Sequence, residues 1–297
     1  MSSTYTTIRS ILQTTSLDRV DAKVLLYYLI HHHYQWPRSY LISHDLDVLS
    51  DAFLKDWVCL EAKRQEGVPV AYLTHTRSFH QIDLIVSPDV LIPRPETELL
   101  VERGISTIVD FLHANPMRFN SSNRLNILDL GCGSGAIILA IAKQFQKSPF
   151  FAHLNFMASD VSPSALKVAQ QNANNLSLSD YVQFFESNWF DQLPFEQFGI
   201  ILSNPPYLSS NDSHLQMGDL RFEPLGALSD FADGLSAYRL ICAQARQRLL
   251  SGGSILFEHG FEQAKDVQAI LHKESFVQIL TEKDYSGLDR VTFAQKG

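Results

Sequence analysis

Asn126-Ile127-Leu128-Asp129-Leu130-Gly131-Cys132-Gly133-Ser134-Gly135 is the stretch that decides the fold class. An apolar run of strand length enters a turn with glycine at every second position, and an apolar, helix-length segment follows from Ala136. Glycines let the backbone come close to a ligand, and the start of the next helix offers unpaired N–H groups. The stretch therefore predicts a cofactor seat at a strand-to-helix turn.

Working outward, strands and helices alternate from Leu125 onward, which predicts a largely parallel sheet with helices on both faces. Strands are expected at 126–130, 155–159, 182–186, 200–203, 254–258, 277–281 and 291–294, with helices near 136–146, 163–174, 235–250 and 261–272. The reading is a seven-stranded, doubly wound, Rossmann-like α/β domain over 91–297. Upstream, residues 4–67 carry Leu and Ile at helical spacing and no alternating run. Ser16 or Asp18 can cap a helix through Val24, Leu25 and Leu29, and a second helix runs from about Asp51 to Gly67. This predicts a small helical domain over 1–71. Phe79, Ile82, Leu84, Val86 and Val90 have strand spacing, so 72–90 is expected to be a β-hairpin linker, with a turn at Ser87-Pro88-Asp89. Met1-Ser2-Ser3-Thr4 lacks apolar content and is expected to stay outside the packed structure.

With 297 residues, 45% hydrophobic and 19% charged, the chain suits roughly two globular domains. It shows no basic segment leading into an apolar one at its start, and no apolar stretch approaches the ~18 residues needed to span a bilayer, so a cytoplasmic protein without a membrane partner is expected. The formal charge of −8 argues against an extended grip on nucleic-acid phosphates, and direct nucleic-acid binding is not expected. The acidity lies mainly in residues 86–297, with 16 Lys+Arg against 23 Asp+Glu, whereas residues 1–85 carry 8 against 9. Cys59, Cys132 and Cys242 lie far apart and are expected as free thiols. His31-His32-His33 would point in three directions from a helix, so no metal site is expected there.

The glycine turn by itself suits either a dinucleotide or S-adenosylmethionine (AdoMet). The dinucleotide fingerprint G-x-G-x-x-G lacks its last glycine here, since position 136 is Ala, and Asp129 offers a carboxylate better matched to a cationic methionine group. AdoMet is the better fit. Asp160, at the tip of the next strand, can accept bonds from ribose hydroxyls, while Ser162 is free to cap the helix beginning at Pro163. Trp189 can lie against adenine or belong to the core; the residues alone leave both open. The apolar run 198–203 ends in Asn204-Pro205-Pro206-Tyr207, a buried strand stopped by prolines with a polar side chain and an aromatic ring at its tip.

Asp129 to Gly135, Asn204 to Tyr207, Ile92-Pro93-Arg94-Pro95-Glu96-Thr97-Glu98, and Glu223-Pro224-Leu225-Gly226-Ala227-Leu228 with Asp233-Gly234-Leu235 resemble the bacterial release-factor glutamine methyltransferases, the HemK/PrmC family. The resemblance extends over nearly the whole chain, through Glu258-His259-Gly260 to Asp284–Val291. It implies a helical front, a hairpin linker and a methyltransferase domain that methylates the glutamine of the Gly-Gly-Gln motif in class I peptide chain release factors. It implies that Asp129, Gly131, Cys132, Gly133, Ser134, Gly135, Asp160, Trp189 and Asn204 hold AdoMet. It also implies that Asn204, Pro205, Pro206 and Tyr207 hold the glutamine, with Asn204, Pro205 and Tyr207 catalytic. The chain departs from the family at the hairpin, where His75 and Gln81 stand in place of the usual glycines.

An amide nitrogen is a poor nucleophile because its lone pair is delocalised. The Asn204 side-chain oxygen and the Pro205 carbonyl can accept its two hydrogens and turn the lone pair toward a methyl group, while Tyr207 packs over the flat amide. Catalysis is thus expected from positioning, without a general base. An exocyclic amino group of a nucleobase is the alternative acceptor. A non-catalytic AdoMet-binding module and a dehydrogenase are the weaker rivals, opposed by the intact Asn204–Tyr207 tip and the missing third glycine.

Overall fold

In the computed structural model the described residues are 6–194 and 196–297, so the expectation for Met1-Ser2-Ser3-Thr4 lies outside them. The chain divides into two units. One runs to Thr76 and takes in Met217–Phe222; the other comprises Arg77–Gln216 and Glu223–Gly297.

The first unit is helical: α1 (Ile8–Thr14), α2 (Arg19–Tyr34), α3 (Tyr40–Ser43), α4 (Asp51–Gln65) and α5 (Val70–Thr74). Asp18, not Ser16, caps α2 by accepting from the Val20 N–H, and Ser50 caps α4. Ile8, Ile11, Leu25, Leu26, Leu29, Phe53 and Trp57 form its buried core. The segment Met217–Phe222 was not foreseen here. Asp219 accepts from Arg64 at 3.0 Å, and the Arg221 guanidinium donates to the Glu66 carbonyl at 2.6 Å. His33 bonds Asp56, while His31 and His32 stay exposed.

In the second unit the hairpin strands β1 (Thr76–Phe79) and β2 (Ile82–Ile85) turn at His80-Gln81, both with positive φ (40° and 64°). A two-residue turn of this hand favours glycine or asparagine, which explains why the departure at Gln81 matters. Phe79, Ile82 and Leu84 enter the core of the larger unit. The buried Asn172 amide bonds the backbone of Ile85 in both directions and also donates to Ser134 O.

A 3₁₀ turn, Pro95–Thr97, leads into α6 (Glu98–Ala114). The main sheet follows: β3 (Leu125–Leu130), α7 (Ala136–Phe145), β4 (Leu154–Asp160), α8 (Pro163–Asn175), β5 (Val182–Glu186), β6 (Phe198–Ser203), α9 (Leu225–Leu228), α10 (Ser236–Arg248), β7 (Leu249–Glu258), α11 (Ala264–Lys273), β8 (Phe276–Lys283) and β9 (Asp289–Lys296). The strand order is β5-β4-β3-β6-β7-β9-β8, parallel except for β9, which pairs antiparallel with both neighbours.

Alternation along the strands builds two cores. Leu125, Ile127, Ile200 and Leu202 face α6, α7 and α8, while Leu128, Leu130, Ile201, Ile255 and Phe257 face α10 and α11. The sheet is therefore doubly wound, as the sequence predicts. Strand β7 begins five residues earlier than expected. Its register slips between Phe198 and Ile200, and a Cβ on Gly253 would come within 2.8 Å of Gly199 O, so the pair Gly252-Gly253 lies at a bulge inside the strand. Among the described residues no helix is long and apolar enough to cross a membrane.

Candidate active site

Strand order reverses at β3: the chain winds outward through β4 and β5, then returns to place β6 on the other side of β3. The crevice beyond the carboxyl ends of such strands is where α/β sheets bind ligands. Leu130 pairs with Ser203, so the glycine turn after β3 and Asn204 after β6 emerge side by side.

A cleft of about 230 Å³ opens there, lined by Gly131, Gly133, Asp160, Trp189, Asn204 and Pro206, together with residues of the Val90-Leu91 and Pro224–Ala227 segments. Six of the residues singled out from sequence thus come together. Asp129, Cys132, Ser134, Gly135, Pro205 and Tyr207 do not line it, although all lie in the same two loops or the strand end.

The glycine turn takes its shape from positive φ at Gly131, Gly133 and Gly135 (71°, 54° and 80°). Asp160 fixes it: one carboxylate oxygen accepts from Gly133 N at 2.8 Å and the other from Ser162 N at 2.9 Å. Burial raises the Asp160 pKa, and those N–H donors pull it back. With a third N–H, from Val161, also bonded to it, the carboxylate keeps one of its four acceptor sites open. Ser162 caps α8 through Ala165 N, which leaves the Asp160 carboxylate out of the helix cap. Asp129 is fully buried; one oxygen accepts from Ile138 N at 3.3 Å and the other has no partner among the described residues. Desolvation pushes its pKa up to about 7. Trp189, half-buried at φ 50°, sets its ring beside Gly131, where an added Cβ would meet it at 3.5 Å.

The Asn204–Tyr207 tip is held from several sides. Ser203 Oγ donates to Leu130 O at 2.8 Å, and Gln263 Nε2 donates to both Tyr207 O and Gly234 O, at 3.0 and 3.1 Å. Gly234, at φ 80°, lies so close that a Cβ would stand 2.5 Å from Tyr207 O. The Tyr207 hydroxyl is driven well above its ordinary pKa, first by burial and then by the Glu258 carboxyl, so it stays protonated. Asn204 Nδ2 donates to Thr97 Oγ1 at 3.4 Å.

Arg94 pairs with Glu223, whose other oxygen accepts from Ile92 N at 2.9 Å. That carboxylate is wholly buried, so the Ile92–Glu98 stretch and the Glu223–Leu228 stretch are one structural unit along the cleft. Sequence reasoning quoted both stretches without seeing this bond. It gave no role to Thr97, Glu258, Gln263 or Asn172. For Asn172 a signal existed: it is a polar residue on the apolar stripe of α8, between Ala169 and Ala173.

Glycines that bring backbone to the cleft, a carboxylate with an open acceptor site at the next strand tip and a flanking indole suit a nucleoside with a methionine tail, so these residues fit AdoMet. Among the described residues no cluster of three or more His, Cys, Asp or Glu is placed to hold a metal.

Known proteins agree with this geometry. The family model "PrmC N-terminal domain" matches residues 5–74, and "Methyltransferase small domain" matches residues 106–222. The chain is 39% identical over 279 residues to the release factor glutamine methyltransferase of Xylella fastidiosa (strain Temecula1 / ATCC 700964), with 94% of each chain covered. It is 36% identical over 284 residues to that of Escherichia coli (strain K12), covering 96% of this chain and 94% of the relative. Among solved structures, the hMettl16 catalytic domain in complex with MAT2A 3′UTR hairpin 6 aligns with a TM-score of 0.52 at 12% identity, over 84% of this chain and 83% of that one, a likeness of fold alone. With relatives this similar over nearly its full length, the chain belongs to the release factor glutamine methyltransferase family and is an AdoMet-dependent methyltransferase.

Proposed function

We propose that the protein methylates the side-chain amide nitrogen of the glutamine in the Gly-Gly-Gln motif of class I peptide chain release factors, in the cytoplasm, with Asn204, Pro205 and Tyr207 orienting that amide. The observation that carries this reading is the adjacency of the glycine turn and Asn204 at the ends of paired strands β3 and β6, within one cleft. The substrate class follows the relatives that bear the name, at 36–39% identity. The nucleobase alternative is not favoured by those relatives.

When bound, AdoMet supplies an electrophilic methyl group on a sulfonium. The Asn204 side-chain oxygen and the Pro205 carbonyl accept the two amide hydrogens, which turns the nitrogen lone pair toward the methyl. On gaining the methyl group the amide nitrogen would shed one proton to solvent, with no side chain of the site acting as base. Tyr207, kept neutral, packs as a wall and does not act as a base. Gly131, Gly133, Asp160 and Trp189 hold the nucleoside side of the cofactor. The helical unit, residues 1–71 with exposed Val20, Ile42, Leu46 and Val48, supplies the grip on the protein substrate, since a single glutamine is too small to select.

The test is mass spectrometry of a Gly-Gly-Gln-containing release factor after incubation with the protein and AdoMet. One added methyl on the glutamine is expected, and Asn204→Ala should lower its rate at least ~100-fold, in line with loss of an orienting group. Methylation of nucleic acid with none on the release factor would overturn the reading.

A further inference from the structure

Thr97, Asn204 and Glu258 come from three separated stretches and meet behind the cleft. Glu258 ends β7, paired with Val291, and its backbone carbonyl accepts from the buried Tyr238 hydroxyl at 2.9 Å, so its position is fixed. Its side chain is buried; one oxygen is bonded to the Thr97 side chain and Oε2 has no partner among the described residues. Thr97 is itself buried in the 3₁₀ turn that Arg94 and Glu223 anchor.

We infer that Glu258, acting through the Thr97 hydroxyl, is a positioning residue that decides which way the Asn204 amide faces. This rests on the methyl-acceptor reading of Asn204 given above. An asparagine amide has two nearly isosteric orientations, and only one presents its oxygen to the substrate. Above the pKa of about 7 the Glu258 carboxylate is ionised and can only accept, so at pH 8 the single Thr97 hydrogen is directed to Glu258, and the Thr97 oxygen is left to accept from Asn204 Nδ2. Asn204 Oδ1 then remains for the substrate N–H. In the opposite orientation two NH₂ groups would face each other, and the glutamine would be repelled. The 3.4 Å separation between Asn204 and Thr97 is long for such a bond, and bonds of this kind tighten when substrate completes the site.

The arrangement predicts a signature that mere packing lacks. Thr97→Val, which removes the hydroxyl and keeps the shape, should lower kcat about tenfold, the value of a ~1.4 kcal/mol orientational preference. KM for the release factor should change less than about twofold and AdoMet affinity by calorimetry should stay within about twofold, because the loss falls on the transition state. Thr97→Ser should restore kcat. Glu258→Leu, which removes the acceptor, should lower kcat at pH 8 in the wild-type background and add nothing in Thr97→Val, since the carboxylate acts only through the hydroxyl. Wild-type kcat in Thr97→Val, failure of Thr97→Ser to rescue, or full additivity of the two substitutions would overturn the inference while leaving the proposed reaction intact. A wild-type enzyme that leaves the release factor unmethylated overturns both. Unchanged AdoMet affinity also certifies that each variant is folded.

Discussion

Glu258→Gln should make the protein more stable at pH 8 and leave it nearly unchanged at pH 4. The Glu258 carboxyl is 1% exposed, and only one of its oxygens is hydrogen-bonded. Burial pushes its pKa from 4.5 up to about 7, against the Thr97 bond and the Arg290 charge that favour ionisation. The sign follows from proton binding. Between those two values the folded protein holds a proton that the unfolded chain has released, so stability is fully present below pH 4.5 and falls as pH rises through about 7. At ~1.36 kcal/mol per pH unit, the loss attached to this one group is about 3 kcal/mol. Glutamine has the same shape, still accepts from Thr97 and cannot ionise.

The slope of wild type has a second contributor, since burial also pushes Asp129 up to about 7, and that part persists in the variant. The measurable quantity is therefore the difference between the two proteins. Urea unfolding followed by circular dichroism, without AdoMet so that ligand linkage does not enter, gives the unfolding free energy at each pH. The difference should be near zero at pH 4 and open to about 3 kcal/mol in favour of the variant at pH 8. A difference that does not vary with pH, or that widens toward acid, would refute the argument that burial of this carboxyl dominates. Because the glutamine oxygen still accepts from Thr97, kcat at pH 8 should stay within about twofold of wild type while stability rises.

Other perturbations follow from single contacts. Gly234→Ala forces a Cβ to within 2.5 Å of Tyr207 O at a positive φ, so it should destabilise by roughly 1–3 kcal/mol and reduce methyl transfer more than AdoMet affinity, read by unfolding and by steady-state kinetics. Gln81→Gly relieves a left-handed turn residue and should raise the unfolding free energy by about 0.5–1 kcal/mol. Arg94→Met leaves the buried Glu223 carboxylate without its charge partner and should cost about 3–5 kcal/mol; adding Glu223→Gln, which removes the charge and keeps an acceptor for Ile92 N, should recover most of it, which a chemical-unfolding double-mutant cycle would detect.

The order of strands and helices was legible because each carries its own period. Alternation in β3 and β6 serves two cores at once, and the helices between them bury one stripe each. The start of β7 was not legible, because Ser251-Gly252-Gly253 has turn composition and only the approach of Gly199 O reveals a bulge. Nor was the fate of the hairpin. Its alternating residues predict strands, but whether those strands stand free depends on Asn172, which lies 87 positions away from its bond partner Ile85. Residues 217–222 carry no compositional mark that they belong with the helical unit.

At the site the division is sharper. Residues that meet the cleft through the backbone, such as Gly131 and Gly133, announce themselves, since the positive φ they adopt favours glycine. Residues that act on another side chain do not. Thr97 reads as an ordinary helix-start residue and Glu258 as the polar end of a strand, and each becomes informative only when the other stands beside Asn204. A carboxylate buried with an unpartnered oxygen is unfavourable for folding. Buried Glu61 likewise accepts from a hydroxyl, that of Thr15, but the Glu258 partner stands beside the acceptor clamp, and the direction Glu258 imposes on that hydroxyl's hydrogen explains its place there.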